Sequence, residues 1–300
     1  MKVRDYYKPF TDYLRSEGMS ERTISERERF LFGAIDKAIG DMNIEDLLIT
    51  DTALVKERGK EQGKTGSKGA IITLRRFLKF LVQSNYKLNF YWRDIDIPST
   101  PQKNVEALTI EEIKLIRQSI TRNVYITDRP KDIHAQIRFR AMFELMIHTG
   151  MRIGEVLSLD ITDVDFSREE IRITNVKTKE VETLSCVGAT KYVREYLKIR
   201  KDKNRALFIS LDESGHAERL CKETAKSYMR KFRKRMGFKK HLCYHIFRKT
   251  YCTLLLENGV DIKSTQYLAR HKSERTTLRY YVAVSKSRAM DIGNKIMQRI

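Results

Sequence analysis

Apolar residues recur at helical spacing in four stretches near the start of the chain. These stretches run from Tyr6 to Leu14, from Ile24 to Ile39, from a cap at Thr50 or Asp51 through Leu54 and Val55, and from Ile71 to Val82. Gly40 follows the second stretch and is expected to end that helix. Before the fourth stretch, a lysine-rich segment that contains Gly63, Gly66 and Gly69 predicts an exposed turn. The pattern predicts a compact helical bundle.

A short proline-bracketed segment follows the four stretches. Pro98 and Pro101 lie in a segment without apolar period, and proline cannot continue a helix. We therefore expect a helical domain at residues 1–97, a linker at 98–108 and a second domain at 109–300.

The second domain opens with a capping signal and then changes its period. Thr109 with Glu112 three residues later forms a capping box ahead of apolar positions at helical spacing. Between Asp165 and Cys186 apolar and polar residues alternate, which predicts a β-hairpin with its turn near Lys177–Lys179. One further strand is predicted at Ala206–Ser210, and the predicted helices cover residues 137–147, 218–236, 246–257, 262–268 and 287–300. The fold class is mainly α: an N-terminal helical bundle and an α-rich domain with a small antiparallel β-sheet.

The charge of the 300-residue chain lies mostly in the second domain. The chain has a net charge of +20 with 41% hydrophobic and 33% charged residues, which is a globular composition. Residues 1–97 contain 18 basic and 15 acidic residues, so the remainder contains 41 basic and 24 acidic ones. Such an excess attracts polyanions, and no stretch has the one-sided basic pattern of a membrane-surface helix. Nucleic acid is therefore the expected partner.

The location is predicted from cysteine usage and hydropathy. The four cysteines, Cys186, Cys221, Cys243 and Cys252, are isolated in the sequence, which indicates reduced thiols. The apolar runs are far too short to cross a bilayer, and the N-terminus is polar. We therefore predict a cytoplasmic protein without a membrane segment.

Four local patterns could contain chemistry. Gly150 is followed by Arg152 and Glu155, His245 precedes Arg248 by three residues, His271 precedes Tyr280, and Lys177 and Lys179 lie at the predicted hairpin tip. Each pattern alone also fits a structural role: a helix end, a basic surface pair or a solvated turn. Cys243 between His241 and His245 could suggest a metal site, but no further ligands follow at a recognisable spacing.

Together the four patterns favour one kind of reaction. They supply cations, a hydroxyl and acid–base groups, without the carboxylates of a two-metal nuclease or a glycine-rich phosphate loop. The set suits metal-free attack on a phosphodiester, and we expect no cofactor.

Three strings resemble the tyrosine recombinases of the phage integrase family. They are HTGMRIGEVLSL at His148–Leu159, HIFRKTYCTLLLENGVDIKSTQYL at His245–Leu268, and the His271-x8-Tyr280 pattern within HKSERTTLRYYV. The order and separation of the strings fit the family over nearly the entire chain. The resemblance implies a helical DNA-clamping domain, a catalytic domain and the two-domain layout of Xer recombinases, without a separate arm-binding domain.

The resemblance also implies the site residues. Arg152 and Arg248 match the arginines that hold the phosphate, His245 and His271 match the two histidines, and Tyr280 matches the nucleophile. Tyr281 is the rival nucleophile. Lys177 matches the hairpin lysine best, with Lys179 as the alternative, and Glu155 matches an acidic position that supports the first arginine. The family usually has Leu-Gly before the second histidine, where this chain has Ala269 and Arg270.

The implied activity is site-specific recombination through a 3′-phosphotyrosyl intermediate, with a double-stranded recombination site and a homotetramer on two duplexes. The apolar stripe of residues 285–300 either packs on its own core or docks on a neighbouring protomer. The alternatives are a nicking and resealing enzyme similar to type IB topoisomerases, and a DNA-binding protein without catalysis.

Overall fold

The chain forms two compact units, Met1–Lys103 and Asn104–Ile300. A computed structural model of the chain describes residues 1–63, 65–99, 107–121, 130–174 and 180–270. The predicted hairpin tip and the predicted helix at residues 287–300 lie outside the described residues. In the part of the chain that is described, no helix is long and apolar enough to cross a membrane.

The first unit is helical, as the hydrophobic pattern predicts. Its helices are α1 (Tyr7–Ser16), α2 (Glu21–Phe30), α3 (Asp36–Ile39), α4 (Asp51–Lys60) and α5 (Gly66–Gln83). A π-helical turn at Leu31–Ile35 joins α2 to α3, so the second predicted helix is interrupted where the backbone widens. The core of this unit includes Phe10 and Phe77, whose rings meet edge to face at 5.3 Å.

The prediction of an exposed glycine turn before α5 is wrong for two of its three glycines. Gly66 begins α5 and Gly69 lies within it. A Cβ atom at Gly66 would lie 1.9 Å from the carbonyl oxygen of Gly59 in α4, and one at Gly69 would lie 2.1 Å from the ring of Phe30. These positions therefore require glycine because two helices and an aromatic ring pack directly against the backbone.

The second unit contains seven described helices and five described strands. The helices are α6 (Ile110–Thr121), α7 (Pro130–Thr149), α8 (Ile153–Ser158), α9 (Thr190–Lys198), α10 (Lys222–Met236), α11 (Tyr244–Glu257) and α12 (Ile262–Ala269). The strands are β1 (Val164–Asp165), β2 (Glu170–Thr174), β3 (Val181–Ser185), β4 (Ile209–Leu211) and β5 (Ala217–Arg219). The architecture is mainly α with a small antiparallel sheet, as predicted.

The predicted capping box and hairpin are both present. The Thr109 amide donates to Glu112 Oε2 at 2.9 Å, and the Glu112 amide donates to Thr109 Oγ1 at 3.2 Å. Strands β1, β2 and β3 form an antiparallel sheet in that order, with Ile171 opposite Leu184. This register turns Ile171 and Ile173 toward the core.

Two further predictions differ from the structure. The strand predicted at Ala206–Ser210 begins at Ile209, because Ala206 forms only an isolated bridge with Asp160. The helix predicted from Glu218 begins at Lys222, because Ala217–Arg219 pair with β4 instead. Cys221 then caps α10 by accepting a hydrogen bond from the Thr224 amide at Sγ.

Helix α7 lies at the centre of the second unit and packs against α9 and α11. Phe143 of α7 meets Phe247 of α11 edge to face, with ring centroids 4.9 Å apart. This contact matters for the site because it joins the two helices that position its residues. Helix α7 ends just before Arg152, and α11 contains His245 and Arg248.

Candidate active site

Arg152 lies at the N-terminus of α8, where the chain reverses after α7. Gly150 makes the reversal with a φ of 63°, a conformation that glycine adopts without strain. Glu155 Oε2 accepts the Arg152 amide at 2.7 Å, and Glu155 Oε1 accepts Arg152 Nη1 at 2.9 Å. The carboxylate therefore holds the backbone of Arg152 and also forms an ion pair with its side chain, which remains 46% exposed.

Arg248 is buried on α11, with 1% of its surface exposed. Its Nη1 donates to the carbonyl oxygen of Gly150 at 2.7 Å, and its Nη2 donates to the carbonyl oxygen of Ala269. Burial, together with the positive charge of Arg152, lowers the pKa of Arg248 to about 10. The guanidinium still carries its charge at neutral pH, without a carboxylate within ion-pair distance among the described residues.

The C-terminal end of α12 brings the two arginines together. Arg248 donates to the carbonyl oxygen of Ala269, and Arg152 Nη2 donates to the carbonyl oxygen of Arg270 at 3.1 Å. The carbonyl groups at a helix C-terminus lack partners within the helix and carry partial negative charge, which favours cations. Two guanidiniums that are 96 residues apart in sequence, 152 and 248, are thus anchored to adjacent peptide groups.

His245 lies one helical turn before Arg248 on α11, as the spacing predicts. Its side chain is exposed and lines the same cleft as both arginines. Partial desolvation lowers the pKa of His245, and the positive charges of Arg248, Arg152 and Lys249 lower it further. The imidazole is therefore neutral at physiological pH and can accept a proton.

The cleft that contains these side chains has a volume of about 1960 Å³. A row of cations on α10 forms part of its lining, and its members, spaced three or four residues apart, are Lys222, Lys226, Arg230 and Arg233. A neighbouring side of α10 is buried through Ala225 and Phe232. The sequence prediction did not identify this row, although its helical spacing was visible in the sequence.

Arg270 is the second feature of the site that the sequence did not predict. It ends α12 in the left-handed region, with φ 52° and ψ 50°. Its Nη2 donates to Glu155 Oε2 at 2.7 Å, and its Nε lies 3.7 Å from Glu182 Oε2 on β3. The basic residue in place of the family's usual glycine therefore joins the Arg152–Glu155 pair.

The remaining predicted site residues lie outside the described residues. They are Lys177 and its alternative Lys179, His271, Tyr280 and its alternative Tyr281. Among the described residues, no group of three or more His, Cys, Asp or Glu side chains is placed to hold a metal ion.

Comparison with known proteins gives the family. Residues 112–288 match the sequence model of the phage integrase family. Tyrosine recombinase XerD of Corynebacterium glutamicum is 30% identical over 295 residues, which cover 93% of this chain and 94% of that protein. This chain belongs to the phage integrase family. It is a tyrosine recombinase, an enzyme that breaks and rejoins DNA strands at specific sites. XerD of Listeria monocytogenes (serotype 4b, strain F2365) is 26% identical to the recombinase, and the match covers 99% of this chain and 100% of that protein.

Solved structures share the fold of the recombinase at low sequence identity. A lambda integrase dimer bound to a COC′ core site matches with a TM-score of 0.74 at 18% identity, covering 94% of this chain and 95% of that one. The integrase of transposon Tn1549 in complex with a circular intermediate DNA matches with a TM-score of 0.73 at 19% identity, with the same coverage.

Gly150 of the recombinase yields a prediction about stability. A Cβ atom at this position would lie 2.3 Å from Cδ1 of Tyr251, and the positive φ disfavours any L side chain. We expect Gly150→Ala to destabilise the second unit by about 2–4 kcal/mol, from backbone strain and overpacking together. The measurement is the midpoint of urea unfolding of the full chain, with unfolding monitored by circular dichroism.

Gly154→Ala is the matched control, because it lies in α8 and a Cβ atom there would meet nothing within 4 Å. We expect this variant to be as stable as the parent or up to about 1 kcal/mol more stable. An unchanged unfolding midpoint for Gly150→Ala would contradict the prediction.

Proposed function

We propose that the recombinase cleaves DNA by attack of the Tyr280 phenol on a phosphodiester held between Arg152 and Arg248, which forms a 3′-phosphotyrosyl intermediate. The observation that carries the proposal is the convergence of both guanidiniums on the end of α12, in a cleft that also contains His245. Within the described residues, each guanidinium donates two hydrogen bonds and has five N–H groups, so each can also donate to a phosphate.

The positive charges of the two arginines lower the activation barrier of the reaction. Attack by an oxygen on phosphorus places additional negative charge on the non-bridging oxygens in the transition state. Arg248 is held by two carbonyl oxygens before substrate binds, so its reorganisation is small. Preorganised donors of this kind stabilise the transition state more than the bound ground state.

Acid–base groups complete the proposed step. The tyrosine phenol has an ordinary pKa of about 10 and is a poor nucleophile at neutral pH unless its proton is accepted. We assign that role to His245, because its lowered pKa keeps it neutral. As the bond from the phenolic oxygen to phosphorus forms, the bond to the 5′ oxygen breaks, and Lys177 gives that oxygen a proton. His271 contributes a further hydrogen bond to the phosphate.

The partner in the proposal is a double-stranded recombination site. The row of cations on α10 in the cleft wall fits a phosphate backbone, and the DNA complexes of the structural relatives support this partner.

We further propose a division of labour between the two domains. Residues 1–97 clamp the duplex, residues 109–300 catalyse the reaction, and four copies of the chain act on two duplexes. The reverse attack by a 5′ hydroxyl rejoins the strand, so the cycle requires neither metal nor cofactor.

The test is a covalent capture that does not require a known target sequence. The full chain is incubated in EDTA with a pool of nicked duplexes of randomised sequence, so that the short fragment beside the nick diffuses away after cleavage. The proposal predicts a complex that resists denaturation with detergent and contains DNA attached through its 3′ phosphate to a tyrosine peptide.

The two alternative activities give different results. If the protein selects duplexes from the pool that it binds tightly but forms no covalent complex with them, it is a DNA-binding protein without catalysis. Relaxation of a supercoiled plasmid with a single selected site, without recombinant products from paired sites, would indicate an enzyme similar to type IB topoisomerases. The first result would overturn the proposed cleavage, and the second would overturn the proposed action of four copies on two duplexes.

A further inference from the structure

We propose that Arg270 is a positioning residue: it neutralises Glu155, so that Arg152 remains available for the phosphate instead of being held by that carboxylate. The inference rests on the proposed function, because it concerns how Arg152 reaches its substrate.

The first step is the electrostatic balance around Glu155. Oε1 of Glu155 accepts from Arg152 Nη1, and Oε2 accepts from both the Arg152 amide and Arg270 Nη2. Within the described part of the chain, Arg152 and Arg270 are the two cations in ion-pair distance of this carboxylate. If Arg270 were removed, the negative charge of Glu155 would be balanced by Arg152 alone. The same guanidinium would then have to serve both Glu155 and the phosphate.

The second step is the net charge of the cluster. Three guanidiniums, Arg152, Arg248 and Arg270, meet two carboxylates, Glu155 and Glu182. The cluster therefore has one net positive charge in this chain and would be neutral without Arg270. A neutral cluster attracts an anion less than a cluster with one net positive charge does.

The third step is that Arg270 is unfavourable for stability. A residue other than glycine in the left-handed region is strained by about 1–2 kcal/mol. The side chain is only 10% exposed, and among the described residues its Nε and Nη1 have no hydrogen-bond acceptor. Buried donors without acceptors destabilise the folded state. A side chain that is retained against strain and desolvation is expected to serve function instead of stability.

The fourth step concerns freedom of movement. Arg152 is 46% exposed, whereas Arg270 is nearly enclosed, so Arg270 is the fixed partner of Glu155 and Arg152 the adjustable one. The Arg152 side chain contacts Glu155 through Nη1 and Oε1, and its other hydrogen bond, from Nη2 to the carbonyl oxygen of Arg270, does not involve the carboxylate. Its main-chain amide stays bound to Glu155, so the start of α8 does not move.

The experiment measures the availability of Arg152 directly and without DNA. Phenylglyoxal modifies free guanidinium groups more readily than ion-paired ones, and its rate at the Arg152 peptide is followed by mass spectrometry. We expect Arg270→Gly to slow modification of Arg152 by about threefold to tenfold, as for a strengthened, partly exposed ion pair. Arg205, whose side chain is 86% exposed, is the internal control and is expected to react equally in all variants.

Three further variants separate charge from backbone freedom. Arg270→Asn tolerates the left-handed region but lacks the charge, so it is expected to slow Arg152 modification as Arg270→Gly does. Glu155→Gln in the Arg270→Gly background is expected to restore the rate, and Glu155→Gln alone to leave Arg152 at least as reactive as in the parent. The thermal midpoint of Arg270→Gly is expected to equal or exceed that of the parent, because strain and unpaired donors are removed.

The proposal is overturned by any of three results. These are that Arg152 reacts as fast in Arg270→Gly as in the parent, that Glu155→Gln in the Arg270→Gly background fails to restore the rate, or that Arg270→Asn reacts as the parent does. A lowered thermal midpoint together with faster labelling would show that Arg270 is structural. Since labelling requires no cleavage, a parent that forms no covalent DNA complex would overturn the proposed function and leave this result standing.

Discussion

A Tyr280→Phe variant is expected to form no covalent complex with DNA. Phenylalanine lacks the oxygen that attacks phosphorus, and no other group on the ring can replace it. The substitution removes one hydroxyl and no charge, so duplex binding is expected to stay within about threefold of the parent. The measurement combines the nicked-duplex capture with a fluorescence anisotropy titration of the same duplex.

The adjacent ring provides the matched control. Tyr281→Phe removes the same atom one position along the chain and is expected to retain covalent capture. If capture is lost in Tyr281→Phe and kept in Tyr280→Phe, the nucleophile is the other tyrosine. If both variants capture DNA as the parent does, the assignment of the nucleophile to either tyrosine is wrong.

Arg248→Lys is expected to reduce the rate of covalent capture by about 10²–10³-fold, as for the loss of a preorganised donor to a developing oxyanion. The guanidinium reaches two carbonyl oxygens, of Gly150 and Ala269, and retains N–H groups for the phosphate. A lysine ammonium cannot span the two carbonyl oxygens and a phosphate together. Burial and the charge of Arg152, which hold the pKa of Arg248 at about 10, would also lower the pKa of a lysine at this position.

Lysine is chosen over alanine because it retains a polar group near the two carbonyl oxygens and fills more of the buried space. The matched control is Arg205→Lys, the same substitution at an exposed position of the same unit, with an expected change within about twofold. Rates are compared by single-turnover capture at saturating duplex, with circular dichroism to verify folding. A lysine variant that retains more than about a tenth of the parent rate would contradict the role of Arg248.

The sequence predicts the parts of the site that depend on local spacing. His245 and Arg248 share one face of α11 because residues three apart on a helix do so, and Gly150 ends α7 just before Arg152. The fold class follows from the periodicities, and the hairpin β2–β3 follows from the alternation of Ile171 and Ile173. Local patterns of this kind are visible without any knowledge of tertiary contacts.

Features that depend on tertiary contact were not predicted. Arg270 and Glu155 are 115 residues apart, and their ion pair requires α12 to end beside α8. Strand β5 is three residues long, too short for an alternating pattern to distinguish it from the start of a helix. The sequence predicts a turn at the glycines that begin α5, because a flexible turn and close packing of helices both favour glycine.

The anchoring of Arg152 and Arg248 on main-chain oxygens has an evolutionary consequence. Carbonyl groups are present whatever side chain a residue has, so positions 269 and 270 can change identity without removing either anchor. The helix end must persist, but neither anchor depends on which side chains lie there. Members of the family can therefore differ in the size and charge of the residues beside the two arginines. A single substitution there can change the electrostatic potential at the site.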